Sequence, residues 1–297
     1  MDFGVVILAI IQGIAEFLPI SSSGHLIIFR DLFGIGASSV NGDLALAFDI
    51  ALHFGTLLAI CLYFFKDFWN MLIKGVTKGV KDSDGKMLWF LVVATIPAAV
   101  AGLLFEDVIE NLIRTNYIII AIALIVMGVV IYLADKFNSE EKNVKDMTLK
   151  DALLIGCSQV FALIPGFSRS GTTIAAARCL KLKKEDAARF SFFLSAPVVL
   201  GAVVLSLFKD NMISLILANM NVFIVGVLVS FISGLLCIEF LLKYLRKHDF
   251  KLFMFYRIIL GIIVIVYTIW RWRYGSLVNF LTWYFHNTRC INCILYW

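Results

Sequence analysis

The chain has 297 residues, of which 61% are hydrophobic and only 16% are charged. Soluble domains are about half apolar and about one quarter charged, so this composition excludes a disordered chain, a disulfide-stapled secreted module and a soluble enzyme. The net charge of +5 comes without a basic cluster that carries interleaved aromatic residues. We therefore expect an integral membrane protein with charged loops, and no nucleic-acid partner.

Eight apolar regions follow one another along the chain. A bilayer core of about 30 Å requires about 20 residues of helix, and six regions have that length: 45–65, 87–105, 117–134, 187–208, 221–242 and 253–272. The other two, 3–33 and 151–180, are each interrupted by a polar loop rich in proline, serine and glycine. Irregular backbone at membrane depth must be surrounded by protein or water. Both interrupted regions therefore predict re-entrant helix-loop-helix hairpins.

The loop charges predict which side of the membrane each connection occupies. The connections 66–86, 135–150, 178–189 and 243–251 carry 18 lysines and arginines, whereas 30–44, 106–116 and 209–220 carry 3. The positive-inside rule places the first group in the cytoplasm and the second group outside. Six spans satisfy these assignments only if both termini lie outside and the two hairpins enter from opposite faces.

That arrangement predicts an inverted repeat, and the two polar loops resemble each other. Leu18-Pro19-Ile20-Ser21-Ser22-Ser23-Gly24 matches Ile164-Pro165-Gly166-Phe167-Ser168-Arg169-Ser170-Gly171 with one residue inserted. We expect an all-α protein with one membrane domain, residues 1–272, made of repeat 1 (1–134) and repeat 2 (151–272), and a tail, 273–297, of unassigned role. Inverted repeats commonly place a polar site near the midplane, where the broken elements meet. The alternative is that proline, serine and glycine merely kink two ordinary helices.

The polar residues of the two loops suit phosphate chemistry. Ionisable groups within a membrane are costly and usually functional; here they are Glu16, His25 and Arg169, with Asp49 near the outer start of the next apolar region. Helix N-termini and arginine bind phosphate oxygens, and a carboxylate can hold Mg²⁺. We interpret His53 and His248 as satisfied or interfacial residues outside the site. The residues predicted to bind substrate are Gln12, Ser21, Ser23, Gly24, Ser168, Ser170, Gly171, Thr172 and Thr173.

Catalytic roles are predicted for Glu16, Ser22, His25 and Arg169. Ser22 or a neighbouring serine is the candidate nucleophile, and His25 is the candidate general base or acid. Glu16, with Gln12 one helical turn before it, is the candidate ligand of a hard cation. A purely structural ion pair between Glu16 and Arg169 is the competing interpretation.

Two segments resemble the signature motifs of the bacterial undecaprenyl-diphosphatase, or bacitracin-resistance, family. They are residues 12–26 and 165–173, and residues 48–56 and 255–257 resemble two further stretches of that family, so the resemblance covers roughly residues 1–270. It implies a phosphatase of the bacterial cytoplasmic membrane that converts undecaprenyl diphosphate to undecaprenyl phosphate, recycling the lipid carrier of cell-wall synthesis and conferring bacitracin resistance. It also implies an active site on the outer side and a divalent cation, Mg²⁺ or else Ca²⁺. The partners are then the polyprenyl diphosphate substrate and membrane lipids, with a homodimer left open.

The family's motif residues correspond to Glu16, Ser22, His25, Ser168, Arg169 and Thr173. Many members have a glutamate where this chain has Gln12, so the metal ligands expected here are Glu16 and Asp49. Two other classes are alternatives. An acid-phosphatase-like lipid phosphatase would need a second histidine where this chain has Ala175-Ala176-Ala177-Arg178. A polyprenyl-phosphate transporter or flippase would use the same inverted repeat, which is typical of carriers.

Overall fold

The computed structural model describes residues 3–105, 108–109, 113–209 and 211–294, with side chains up to residue 273. This described part of the chain is helical and contains no named β-strand. Its α-helices are α1 (Phe3–Phe17), α2 (Ser22–Leu26), α3 (Gly42–Tyr63), α4 (Phe65–Thr77), α5 (Ser83–Leu104), α6 (Tyr117–Lys136), α7 (Leu149–Ser158), α8 (Arg169–Cys179), α9 (Lys184–Leu207), α10 (Met212–Ala218), α11 (Met220–Leu245) and α12 (Lys251–Ile294).

Six of these helices are long and apolar enough to cross a bilayer, and they are the six predicted spans. They are α3, α5, α6, α9, α11 and the part of α12 from Lys251 to Arg273, and each end lies within four residues of its predicted position. The largest shift is at α5, which begins at Ser83 because the Asp82 side chain accepts hydrogen bonds from the backbone N–H groups of Asp84 and Gly85. The protein is therefore a multi-pass membrane protein. The backbone of the tail continues α12 to Ile294, and the tail's side chains lie outside the described residues.

The two interrupted regions both fold as helix, loop and helix, and their loops end in the same way. Ser21 precedes α2 and Ser168 precedes α8, with φ values of 79° and 76°. Such φ values are uncommon for a residue with a side chain. Each serine caps its helix, because Ser21 Oγ accepts from Gly24 N at 3.3 Å and Ser168 Oγ accepts from Gly171 N at 3.1 Å. The shared pattern of Ser-x-x-Gly thus corresponds to a shared backbone geometry.

The four connections rich in lysine and arginine meet at one end of the helix bundle, called here the basic end. Acidic side chains and backbone carbonyls of neighbouring connections accept the hydrogen bonds of these basic groups, so the end is held together by polar contacts. The contacts that join the connections are Arg246–Glu185 (2.9 Å), Lys181–Glu141 (3.0 Å) and Lys86 Nζ to the Met147 carbonyl (3.1 Å).

The second interrupted region begins and ends at this basic end. Near its start, Asp151 lies 3.3 Å from Lys142 Nζ. Near its end, Arg178 Nε donates to Asp135 Oδ1 at 2.7 Å. Lys142 and Asp135 belong to the same basic connection, so both arms of this region reach the same face.

The first interrupted region begins and ends at the other end of the bundle. Gly36, just after this region, lies against the backbone of Gly4, and a Cβ added to Gly36 would be 3.2 Å from the Gly4 carbonyl carbon. Arg30 Nη1 donates to Asp49 Oδ1 at 2.6 Å in the second turn of α3. Because α3 starts at this end and finishes at the basic end, the two interrupted regions occupy opposite ends.

Helix packing pairs the first half of the chain with the second. Helix α1 packs on α11 and α7 packs on α5, while α3 contacts α11, α9 contacts α5 and α6 contacts α12. Small residues permit the close approaches that membrane helices favour. Gly13 of α1 meets the α11 backbone near Ser230, and Gly156 of α7 meets the α5 backbone at Ala94. This packing brings the two polar loops together in the interior.

Candidate active site

The carboxylate of Glu16, in the last turn of α1, is the centre of the polar cluster between the loops. Its Oε1 accepts a hydrogen bond from Arg169 Nη2 at 2.5 Å. Its Oε2 accepts hydrogen bonds from Ser22 Oγ at 2.6 Å and from Gln12 Nε2 at 3.0 Å. The Glu16 side chain is only 5% exposed. The structure thus brings together four of the predicted site residues, from α1, α2 and α8.

Arg169 is held by two elements at once. Besides Glu16, its guanidinium donates from Nη1 to the carbonyl of Ser191 in α9 at 3.3 Å. One turn further along α8, Thr173 Oγ1 lies 2.7 Å from Ser191 Oγ and donates to the Arg169 carbonyl at 2.8 Å. The Arg169 side chain keeps 14% of its surface exposed. The arginine is therefore fixed in direction yet still accessible to a ligand.

His53 lies beside Glu16, within the polar cluster that the sequence interpretation left it out of. Its Nε2 is 3.6 Å from Glu16 Oε2, and its Nδ1 is hydrogen-bonded to the Asp49 carbonyl at 2.7 Å. Because a carbonyl can only accept, Nδ1 carries a proton, and Nε2 faces Glu16. The spacing of Asp49 and His53, four residues apart on α3, was the sequence signal that could have identified it.

His25 is buried behind the first loop. Its Nδ1 is 2.7 Å from the Ser21 carbonyl, and its Nε2 is 2.7 Å from the Tyr256 hydroxyl. The ring is nearly parallel to the rings of Phe29 and Tyr256. Both ring nitrogens are thus engaged, while the Ser22 hydroxyl donates to Glu16 instead. The role of His25 as general base or acid stays a prediction.

The remaining loop hydroxyls bind the two loops to each other. Ser21 Oγ accepts from Gly166 N at 3.0 Å, and Ser170 Oγ donates to the Leu18 carbonyl at 3.1 Å. Ser170 Oγ also lies 3.1 Å from Ser168 Oγ. Gly24 leaves room for this contact, since a Cβ there would be 3.2 Å from Gly166 N. The predicted substrate-binding residues that complete the loops are Ser23, which is half-buried, and Gly171, Thr172 and Thr173, which are buried in the first turns of α8.

Arg257 of α12 is a site residue that the sequence interpretation omitted. It is fully buried, and within the described residues the hydrogen bonds of its guanidinium all go to backbone carbonyls. Within the described residues no carboxylate lies within ion-pair distance of it. A charged residue within the apolar span 253–272 was the available signal. The acceptors are the carbonyls of Pro19 (2.8 Å) in the first loop, Gly166 (2.5 Å) and Phe167 (3.2 Å) in the second loop, and Ala123 (3.5 Å) and Leu124 (2.9 Å) in α6.

The predicted metal ligands, Glu16 and Asp49, are both bound to arginine. Glu16 is paired with Arg169, and Asp49 lies 2.6 Å from Arg30 Nη1 and 3.7 Å from Arg114 Nη2. Across the described part of the chain, no three His, Cys, Asp or Glu side chains are grouped to hold a metal ion. A divalent cation needs anionic oxygen ligands that are not already neutralised. This donor set does not fit a divalent cation that is bound by the protein alone.

Comparison with known proteins gives consistent matches over almost the whole chain. The family model described as "Bacitracin resistance protein BacA" matches residues 5–263. The undecaprenyl-diphosphatase of Caldicellulosiruptor bescii is 45% identical over 269 residues, which cover 91% of this chain and 98% of that protein. The undecaprenyl-diphosphatase of Pelotomaculum thermopropionicum is 46% identical over 264 residues, which cover 89% of this chain and 96% of that protein.

Proposed function

The chain belongs to the bacitracin resistance protein BacA family, and from that membership we propose that it hydrolyses undecaprenyl diphosphate to undecaprenyl phosphate and inorganic phosphate. The observation that carries the proposal is the contact of Glu16 with both Ser22 and Arg169. A hydroxyl, an acceptor for its proton and an arginine are the groups that phosphoryl transfer requires. The relatives named undecaprenyl-diphosphatase supply the identity of the lipid.

Ser22 is the proposed nucleophile. Its hydroxyl already donates to Glu16 Oε2 at 2.6 Å, so Glu16 is placed to take the proton while Ser22 Oγ forms a bond to the terminal phosphorus. The bond from that phosphorus to the bridging oxygen breaks, and undecaprenyl phosphate leaves. Water then hydrolyses the phosphoserine, releasing inorganic phosphate and restoring the Ser22 hydroxyl.

Arg169 is proposed to bind the phosphoryl oxygens and to stabilise the negative charge that they carry in the transition state. Its planar fork suits phosphate, and part of the side chain is exposed while Nη1 donates to the Ser191 carbonyl. Arg169 is also the first residue of α8, an 11-residue helix whose N-terminus favours an anion.

We infer that the two interrupted regions are re-entrant hairpins of an inverted repeat in the bacterial cytoplasmic membrane. Three observations support this. Each region begins and ends at the same end of the bundle, and the two regions use opposite ends. Their loops share one capping geometry, and helices of the first half of the chain pack on helices of the second half. The basic end then faces the cytoplasm. The first hairpin, with Glu16 and Ser22, opens to the outer side, where the diphosphate would be presented.

An apolar cavity that adjoins the same turn of α3 as His53 supports a lipid substrate. It has a volume of about 380 Å³, lies between α3, α9, α10 and α11, and no polar surface lines it. Phe54 is part of its wall, and the preceding residue, His53, contacts Glu16. A polyprenyl chain is the part of the substrate that could enter such a cavity while its diphosphate reaches the loops.

Phosphate release from reconstituted protein tests the proposal. Purified protein in vesicles that contain undecaprenyl diphosphate should release one phosphate per lipid, and Ser22→Ala should stop the release. A transporter would instead move the labelled lipid across the vesicle membrane without hydrolysis, and Ser22→Ala would leave that movement intact. Lipid movement without phosphate release would overturn the proposed function.

A further inference from the structure

We propose that Tyr256 of α12 is a positioning residue for the nucleophile: its hydroxyl orients the His25 ring, and that ring holds the Ser21 carbonyl directly before Ser22. The inference rests on the proposed function and adds a residue to those that perform it. It assigns His25 to holding the first loop, through Nδ1, and not to proton transfer.

Ser21 gives the first loop an uncommon backbone conformation just before the nucleophile. Its φ is 79° and its ψ is 93°, a region that residues with a side chain rarely occupy. Such a conformation persists only where the surrounding structure fixes it. Two donors fix the Ser21 carbonyl, the backbone N–H of His25 at 3.1 Å and Nδ1 of the His25 ring at 2.7 Å. This carbonyl belongs to the peptide bond that leads into Ser22, so holding it fixes the direction in which the chain enters Ser22.

The His25 ring has one partner on each nitrogen. Nδ1 donates to the Ser21 carbonyl, which can only accept, and Nε2 lies 2.7 Å from the Tyr256 hydroxyl. Among the described histidines, the one that lies near a carboxylate is His53, not His25. Arg257, next to Tyr256, is already a buried positive charge, so a second one here would be costly. The ring is therefore neutral, and the Tyr256 hydroxyl donates to Nε2.

This arrangement favours a holding role for His25 over the predicted acid or base role. A general base needs an open nitrogen within reach of the proton that it takes. Both nitrogens of His25 are occupied by protein groups, and the Ser22 hydroxyl donates to Glu16 Oε2 at 2.6 Å instead. Geometry by itself has a large effect on rate, since a misplacement of about 1 Å can cost about 10²-fold.

One turn of α12 holds the first loop at two carbonyls. Tyr256 acts on the Ser21 carbonyl through His25, and Arg257 Nη1 donates to the Pro19 carbonyl at 2.8 Å. The Tyr256 ring is nearly parallel to the His25 ring, with centroids 5.6 Å apart. The loop that carries the nucleophile is thus positioned by a membrane-spanning helix from the other half of the chain.

Tyr256→Phe tests this role directly, because it removes the hydroxyl and keeps the ring. In vesicles that contain undecaprenyl diphosphate, kcat for phosphate release should fall about tenfold while KM stays within about twofold. The matched control is Tyr244→Phe, since Tyr244 stacks on His248 at the basic end with ring centroids 4.6 Å apart. It should leave both constants unchanged. A wild-type kcat in Tyr256→Phe, or a loss confined to KM, would overturn the proposal.

Two variants of His25 separate holding from proton transfer. An asparagine places an amide N–H near the position of Nδ1, whereas a glutamine reaches toward Nε2 and leaves the Ser21 carbonyl without that donor. His25→Asn should therefore keep kcat within about tenfold of wild type, and His25→Gln should lose at least about 10²-fold. Losses of more than about 10²-fold in both variants, with their unfolding transitions kept, would show proton transfer by His25 and overturn the proposal.

Nuclear magnetic resonance of protein labelled with ¹⁵N-histidine, in detergent micelles, tests the contact without turnover. In wild type the His25 ring should carry its proton on Nδ1. In Tyr256→Phe the Nε2 resonance should move toward that of a nitrogen without a hydrogen bond. A wild-type ring that is protonated on Nε2, or an Nε2 resonance that does not move, would contradict the contact on which the proposal depends.

The outcome is separable from that of the proposed function. Phosphate release by the wild-type protein tests hydrolysis by itself. A wild type that hydrolyses the lipid together with an unaffected Tyr256→Phe contradicts only the role of Tyr256. A wild type that releases no phosphate contradicts the proposed function, whatever the resonances of His25.

Discussion

Breaking the contact between Arg169 and Glu16 should separate the catalytic contribution of the pair from its contribution to stability. For a developing phosphoryl charge, one well-placed arginine is worth about 10³–10⁵ in rate, or about 4–7 kcal/mol of activation free energy. We therefore expect Arg169→Gln to lower phosphate release by that factor. Arg169→Lys keeps the charge but loses the fork that joins Glu16 Oε1 to the Ser191 carbonyl. A loss of about 10²–10³ is expected for it.

The cost in stability follows from the burial of the pair. Removing one partner of a fully buried ion pair costs about 3–5 kcal/mol of unfolding free energy. Arg169 is 14% exposed, and Glu16 keeps the hydrogen bonds from Ser22 and Gln12. We expect each single change, Glu16→Gln or Arg169→Gln, to cost about 2–3 kcal/mol, below that range. The double variant should return to within about 1 kcal/mol of wild type, because it leaves no lone buried charge.

Two measurements on the same preparations check the expected losses in phosphate release and in unfolding free energy. Phosphate release gives the catalytic effect, and thermal unfolding in detergent gives the stability effect, with Arg246→Gln as the matched control for an exposed arginine–glutamate pair. The double variant should be stable and inactive. A double variant that recovers both stability and phosphate release would show that the pair is purely structural, and the assignment of Arg169 to catalysis would be refuted.

Three further outcomes are expected. Ser22→Ala should reduce phosphate release at least about 10³-fold with little change in the unfolding transition. For the adjacent Ser23→Ala, phosphate release should stay within about tenfold of wild type, and equal losses in both variants would contradict a nucleophilic Ser22. Arg257→Met should lower the unfolding free energy by more than about 3 kcal/mol, because each buried carbonyl left without its donor costs about 1–3 kcal/mol. Arg257→Lys should lose an intermediate amount of unfolding free energy. An unchanged thermal transition in Arg257→Met would contradict the role of Arg257 in joining the two loops. In whole cells, with the six native cysteines replaced, a membrane-impermeant maleimide should label a cysteine at Ser38 and spare one at Lys145; labelling of the basic end from outside would reverse the topology.

The sequence by itself determined the six membrane spans, because a helix that crosses a bilayer is specified by a local property, the run of apolar residues. A span needs only enough consecutive apolar residues, so hydropathy located all six within four residues of their observed ends. The likeness of the two polar loops was also visible in the sequence, and the structure gives both loops the same serine cap. The sequence even supplied both interpretations of Glu16 and Arg169, which the fold places 2.5 Å apart.

Only the tertiary structure decided which polar groups meet. His53 reaches Glu16 because α3 and α1 lie side by side, and His25 turns to Tyr256 because α12 passes behind the first loop. Asp49 is bound to Arg30, which the sequence interpretation did not anticipate. A buried polar side chain takes whichever partner the packing of distant helices brings within about 3 Å. Such partners, which in the case of His25 and Tyr256 are 231 positions apart along the chain, leave no periodic or local trace in a single sequence.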